Sequence, residues 1–235
     1  MIDTSEIRLG HGRTGCAMQW AEAIRLAREG REVTREEVAT LTDESPCVSP
    51  VIGAFVRSWN DALPDEARTR LLAPLLPLLL DTATGDDDDE RRAWMATDWL
   101  VRFHAPAWLD LTPSLALHAQ ALRALPELDS RAAAGAAMPI IRAAGAAARD
   151  AAGAAAWDAS WDAARYAARA AAGAAARDAA EAAVGYAAEA AAWAAARAAA
   201  VDAAGAATRD ALSPTTATLQ SSAANLLRRM CEVGR

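Results

Sequence analysis

Few residues of this chain are equipped for covalent chemistry. Cys16 and Cys47 each stand just ahead of an apolar helical run, and a thiol near a helix N-terminus has its pKa lowered by the dipole. With His11 or His104 close in space, either cysteine has the parts of a nucleophile–base pair or of a metal site. The catalytic candidates are therefore Cys16, Cys47 and His104. Spacing adds nothing to them: the chain has no CxxC, no HxxxH and no HExxH. A buried, inert cysteine is the commoner state of a free one. No metal site and no cofactor are expected.

A second constellation has the makings of a ligand pocket. Asp98 and Arg102 are i, i+4 on the most apolar helical stretch, with Trp94, Trp99 and Trp108 beside them. Convergent charges among aromatic rings can line a small-molecule site. The simpler reading is a satisfied, buried salt bridge. Gly10-His11-Gly12 and Gly15 hint at a phosphate loop, yet no strand precedes them and no Lys follows, so no phosphate-loop motif is met. The four aspartates at 86–89 lack the alternating spacing of a cation loop. They stand just before a helix expected over 91–104, where carboxylates complement the positive end of the dipole.

The elements that position these residues read as helices. Apolar spacing near 3.6 over 15–29 marks one, and Gly30 stops it. Thr34 and Glu37 form a capping box. Ser49-Pro50 opens a helix that carries Val51, Ile52, Phe55, Val56 and Trp59 inward. Pro64 precedes another, which Pro74 and Pro77 should break. Pro106-Ala107-Trp108-Leu109 closes the helix over 91–104, residues 115–125 make one more, and Ser213-Pro214 starts the last.

From Gly145 to Arg209 a large or charged residue, or glycine, recurs every four positions across seventeen tetrads, with Ala nearly filling the rest. Alanine is the best helix former. Four residues turn a helix by about 400°, so the stripe drifts about 40° per tetrad. No face stays large, which argues against a membrane-surface amphipath and a long heptad coiled coil. The alanine faces suit close helix approach, and Trp157 and Trp161 suit packing anchors. One helix over 145–212 would run about 100 Å, far beyond a globule with a radius of gyration of about 17–18 Å. Folding back is expected, at Gly173 first and Gly185 second.

The composition bounds the function classes. All 24 basic residues are Arg. Residues 1–130 hold 13 Arg against 22 Asp and Glu, a net −9; residues 131–235 hold 11 against 9, a net +2. No segment clusters positive charge as a nucleic-acid surface does, and acid mimicry of nucleic acid is a weaker idea still. Three cysteines make no disulfide framework. The N-terminus shows no signal peptide, and no apolar run reaches the length of a membrane span. The cytoplasm is the expected location.

Gly10-x-Gly12-x-x-x-Cys16, Cys47-Val48-Ser49-Pro50-Val51-Ile52, Trp59-Asn60-Asp61, Asp98-Trp99-Leu100-Val101-Arg102 and Pro106-Ala107-Trp108-Leu109, followed by the Ala-rich tract, resemble uncharacterised alanine-rich proteins of high-GC bacteria and their phages. The resemblance covers most of the chain. It implies no activity and transfers no functional residues.

The expected fold is all-α: a multi-helix head over residues 1–130, packed with a C-terminal array of long Ala-rich antiparallel helices over 131–235, as two domains or one fused. The leading functional expectation is a non-enzymatic interaction or scaffold protein with a protein partner, itself or another, a homodimer included. Nucleic acid and membrane are not expected as partners. The alternative is a small-molecule-binding protein or Cys-dependent enzyme with its pocket in the head.

Overall fold

The structure, a computed structural model, describes residues 7–10, 15–152 and 206–235. Every regular element among them is helical. The expected turns at Gly173 and Gly185, the tryptophans at 157 and 161 and most of the tetrad tract lie outside the described residues. None of the described helices is long and apolar enough to cross a membrane.

The chain divides into two compact units. One comprises Met1–Arg92 with Ala224–Arg235; the other comprises Ala93–Ala172 and Ala176–Ala223, apart from the undescribed residues of each. The division falls inside a helix rather than at the composition change near residue 130.

In the first unit, α1 (Ala17–Arg28) buries Met18, Trp20, Ile24 and Leu26, and Gly30 ends it at φ +85°. The start of α1 is fixed from within and from outside: the Cys16 N–H donates to Gln19 Oε1 of the first turn at 2.9 Å and the Ala17 N–H to Asn60 Oδ1 at 3.2 Å. The capping box of α2 (Arg35–Val38) forms in both directions, with the Thr34 N–H 2.8 Å from Glu37 Oε2. In α3 (Pro50–Ala62) the Ser49 hydroxyl caps the Ile52 N–H, and Val51, Ile52, Phe55 and Val56 turn inward. After α4 (Asp65–Leu72) the expected break at the prolines takes the form of a 3₁₀ turn (Ala73–Leu75) and the short α5 (Leu76–Leu79).

The next helix, α6 (Asp86–Trp99), begins five residues earlier than the sequence suggested, so all four aspartates occupy its first turn. Asp89 does more than meet the dipole. It is buried, accepts from Arg92 Nη1 at 2.8 Å and also accepts from the Ser49 hydroxyl. The Arg92 side chain is wholly buried. Its Nε donates to the Met230 carbonyl at 3.0 Å, and its Nη2 donates to the Val233 carbonyl at 2.6 Å and Thr84 Oγ1 at 3.1 Å. A guanidinium here supplies donors to carbonyls at a helix C-terminus, where the intrahelical ladder runs out. Gly234 follows at φ +79°, and a Cβ there would run into Asp88 and Thr84.

The second unit continues α6. A wide π turn (Leu100–His104) leads directly into α7 (Ala105–Leu109), with the Ala105 N–H bonded to the Leu100 carbonyl. Pro106 therefore does not close the helix as expected. A proline lacks the N–H for the carbonyl four residues back and crowds it, and the wider turn just ahead relieves both. A 3₁₀ turn (Pro113–Leu115) precedes α8 (Ala116–Arg123), and Ser130 caps α9 (Arg131–Ala152). Ala137, Ile141, Ala144 and Ala148 of α9 share a buried cluster with Leu115, Ala119 and Leu122 and with Val101, Ala105 and Leu109. The inward stripe of α9 is thus mostly methyl groups, which let it lie close to α8.

The last helix, α10, runs Ala206–Glu232 with Pro214 inside it. The start expected at Ser213-Pro214 does not occur. Pro214, like Pro139 within α9, is exposed, where water can take the carbonyl that a proline leaves unbonded.

Candidate functional site

One cavity of about 420 Å³ opens in the first unit, lined by Met18 of α1, residues 44–46, Val48, and Ser49, Pro50, Gly53 and Arg57 around the start of α3. Local chemistry shapes it. Ser49 and Pro50 begin α3, so the positive end of that helix faces the cavity. Gly53 lies in its floor, where a Cβ would come 3.4 Å from Arg57 Nη1 and 3.5 Å from Met18 Cε. Met18, Val48, Ser45, Ser49 and Gly53 are buried; Glu44, Pro46 and Pro50 are exposed at the rim, and Arg57 is half-buried. Arg57 Nη1 donates to the Asp43 carbonyl at 2.9 Å.

Both serines direct their protons away from the cavity. The Ser49 hydroxyl donates to Asp89, and the Ser45 hydroxyl donates to Glu22 Oε2 at 2.6 Å. Glu22 is in turn gripped by Arg25 through Nη2–Oε1 at 2.5 Å and Nε–Oε2 at 2.9 Å. The Arg25 hydrogen bonds, more than any opposing burial, hold the Glu22 carboxyl below the usual carboxylate range.

The cysteine candidates do not enter this cavity's lining. Cys47 Sγ lies 3.4 Å from Ser45 Oγ. Since Ser45 gives its proton to Glu22, the Cys47 thiol is the donor. The relay ends on a carboxylate held ionised by arginine, a weak base for drawing off a thiol proton. Cys16 occupies the N-cap of α1 as expected, but its thiol pKa is raised, not lowered. Burial is the largest cause, and it outweighs the Gln19 and Met18 backbone N–H groups that pull the other way. Cys231 is buried too, and burial pushes its thiol to about 11. All three cysteines are free.

His104 lies on the π turn in the second unit, between two tryptophans. Its ring centroid is 5.1 Å from that of Trp99 and 6.3 Å from that of Trp108. Nε2 accepts from Trp108 Nε1 at 3.3 Å, which puts the proton of the neutral ring on Nδ1. Nδ1 is buried and has no partner among the described residues. Burial pushes the pKa down to about 4, so the ring is uncharged at neutral pH. A nucleophile needs a base within hydrogen-bond reach, and His104 packs between the rings of Trp99 and Trp108, with no thiol as a hydrogen-bond partner among the described residues.

The five ligand-binding candidates are taken up by an ion pair and by packing contacts. Asp98 and Arg102 pair through two bonds, Nε–Oδ1 at 2.5 Å and Nη2–Oδ2 at 2.8 Å. Asp98 Oδ1 also accepts the Leu128 N–H at 2.8 Å, and Arg102 Nη1 reaches the Leu125 carbonyl at 3.3 Å. The pair therefore pins the connection between α8 and α9, and the Asp98 hydrogen bonds hold the Arg102 pKa above its usual value. Trp94 packs with Ala134 and Met138 of α9. Trp99 donates to Ser222 Oγ at 2.7 Å, and Trp108 goes with His104.

Sequence reasoning missed the cavity, the Ser45 relay and the Asp89–Arg92 network. The i, i+3 spacing of Asp89 and Arg92 was the one available signal, and nothing in it points to carbonyls in the last six residues. Compared with known proteins, the chain matches no family model, no curated protein and no solved structure.

Proposed function

We propose that this chain is a cytoplasmic, non-enzymatic helical interaction protein that associates, with itself first, through alanine-faced helices arranged as an antiparallel array. The observation that carries the reading is α9. Its inward stripe of Ala134, Ala137, Ala144 and Ala148 is buried against neighbouring helices with a single larger residue, Ile141. Adjacent alanine pairs recur every four residues through most of the tetrads beyond residue 152. Small residues let backbones approach until van der Waals contact replaces side-chain interdigitation. Ala171 and Ala195, on the Ala–Ala faces of the tract, lie outside the described residues and are the natural probes. Sedimentation velocity and thermal melts of the full chain with Ala171→Leu and Ala195→Leu test the reading. Overpacking at a tight face costs about 1–3 kcal/mol, so a lowered melting point or loss of self-association is expected, with Arg177→Ala near the parent. If both Leu variants melt and sediment with the parent, the tract is a spacer and the reading falls.

The alternative, a small-molecule-binding protein with its site in the head, is favoured by a different observation, the cavity beside α3. Its volume lies within the roughly 300–1,000 Å³ of ordinary ligand sites. The cysteine-enzyme form of that alternative has less support, because burial raises the Cys16 thiol and Cys47 donates toward an ionised carboxylate.

A further inference from the structure

We propose that the cavity at the start of α3 binds a small apolar α-amino acid, with its carboxylate on Arg57, its ammonium on Glu44 and its side chain against Met18 and Val48. This rests on the binding-protein reading above and goes beyond it by naming the ligand class. Three observations lead there.

The first is charge. Arg57 and Glu44 stand on the same cavity with opposite signs. Arg57 donates one N–H to the Asp43 carbonyl, and the rest of its planar fork of five donors remains for an anion. The N-terminal end of α3 adds positive potential on that side. Glu44 uses its backbone N–H on Thr42 Oγ1 at 3.0 Å, and its carboxylate has no side-chain partner among the described residues. A simple anion would meet repulsion from Glu44, and a simple amine would meet it from Arg57. A zwitterion satisfies both, which is how paired attraction and repulsion set specificity.

The second is the lining. The lining also holds Met18, Val48 and the rings of Pro46 and Pro50, an apolar bed for an aliphatic side chain. Ser45 and Ser49 have given their protons to Glu22 and Asp89, so they offer the cavity only lone pairs. Lone pairs suit an ammonium and exclude a second carboxylate.

The third is Gly53. A glycine inside a helix costs stability relative to alanine. A methyl group here would meet Arg57 Nη1 and Met18 Cε only at ordinary contact distances, so alanine fits. It would also fill the floor between the cation and the methionine. The glycine keeps that floor open at the helix's expense.

Calorimetric titration of the full chain with leucine, isocaproate (the same skeleton without the amine) and isoamylamine (without the carboxylate) tests the assignment. Leucine is expected to bind at least tenfold more tightly than either analogue. Arg57→Gln and Glu44→Gln should each weaken leucine at least tenfold while the melting point stays with the parent. Gly53→Ala should raise the melting point without ligand and weaken leucine. If isocaproate or isoamylamine binds as tightly as leucine, the zwitterion assignment is overturned while the pocket reading stands. Heat from none of the three overturns the assignment and removes the support for a binding protein. Binding that survives Arg57→Gln and Glu44→Gln unchanged places leucine elsewhere and sinks the proposal.

Discussion

The two units specify the positions of their helices by opposite means. In the first, large apolar residues fill the space, and buried polar side chains name particular backbone groups as partners. Arg92 binds the carbonyls of Met230 and Val233, Ser49 and Asp89 join α3 to α6, and Asn60 holds the first N–H of α1. In the second, the face of α9 carries almost no shape beyond methyl groups, and closeness replaces addressing. Asp98 and Arg102 are the main exception, tying one connection. A buried polar network rejects wrong partners because leaving one member unpaired is costly. An alanine face rejects only bulk. The first unit should therefore fail sharply when a single partner is removed, and the second when a side chain is enlarged.

The sharpest break is expected at Arg92. Arg92→Met would leave the Asp89 carboxylate buried without its cation and would strip the guanidinium's hydrogen bonds from the Met230 and Val233 carbonyls. Removing one member of a buried pair costs about 3–5 kcal/mol, read as a lower urea midpoint. Arg92→Lys should recover little of this, because a point charge cannot span the four acceptors that the guanidinium reaches. Adding Asp89→Leu to Arg92→Met should recover part of the loss, since no charge is then stranded. A single Arg92→Met variant with the parent's midpoint would remove the contrast between the units.

Next in size is a pH effect in the second unit. Burial holds His104 near 4 against an ordinary value of 6.5. The folded protein therefore takes up this proton later than the unfolded chain as pH falls. Stability is full above about pH 6.5, declines as pH drops from there to about 4, and levels off below. The loss is up to about 3 kcal/mol for a shift of this size. His104→Phe keeps a ring between Trp99 and Trp108 without a titrating group, and should flatten that segment of the stability profile. Denaturant midpoints of the two proteins at several pH values between 4 and 7.5 would show it, and parallel profiles would refute it.

The smallest effect separates two adjacent alanines. Ala144 is fully buried and Ala143 is exposed on the same helix. Ala144→Leu should cost about 1–3 kcal/mol by overpacking, whereas Ala143→Leu should be nearly silent, since leucine is almost as good a helix former. Equal melting points would mean that closeness is not what places α9.

How far the sequence anticipated this molecule follows the range of the forces involved. Signals that act within one helical turn were readable. The Thr34–Glu37 box, the Ser49-Pro50 start, the Gly30 stop and the break at Pro74 and Pro77 all occur where local chemistry puts them. Asp98–Arg102 is the satisfied pair that its spacing suggested, though its grip on Leu125 and Leu128 was not visible. Local signals misled where tertiary context overruled them. Pro106 and Pro214 were read as boundaries, but a π turn absorbs the first and exposure tolerates the second. The dipole argument for Cys16 was sound locally and lost to burial. The candidate site was the least readable part, because Met18, Glu44 and Arg57 come from three segments and none belongs to a motif.

The Arg92 contacts also bear on when the first unit can be finished. Arg92 and Met230 are 138 positions apart in the chain. On a ribosome adding about 5–20 residues per second, Arg92 waits several seconds or more before its acceptors are made. Through that interval a buried-type arginine and its aspartate have no native carbonyls to meet, and the helices around them stay unlocked. Joining such distant points also incurs a loop-closure entropy that grows only logarithmically with length, about 0.6 kcal/mol per doubling. Gain or loss of whole tetrads between the two points would therefore change the difficulty of closing the chain very little. A low-complexity tract can drift in length across generations while the residues on either side keep their appointment.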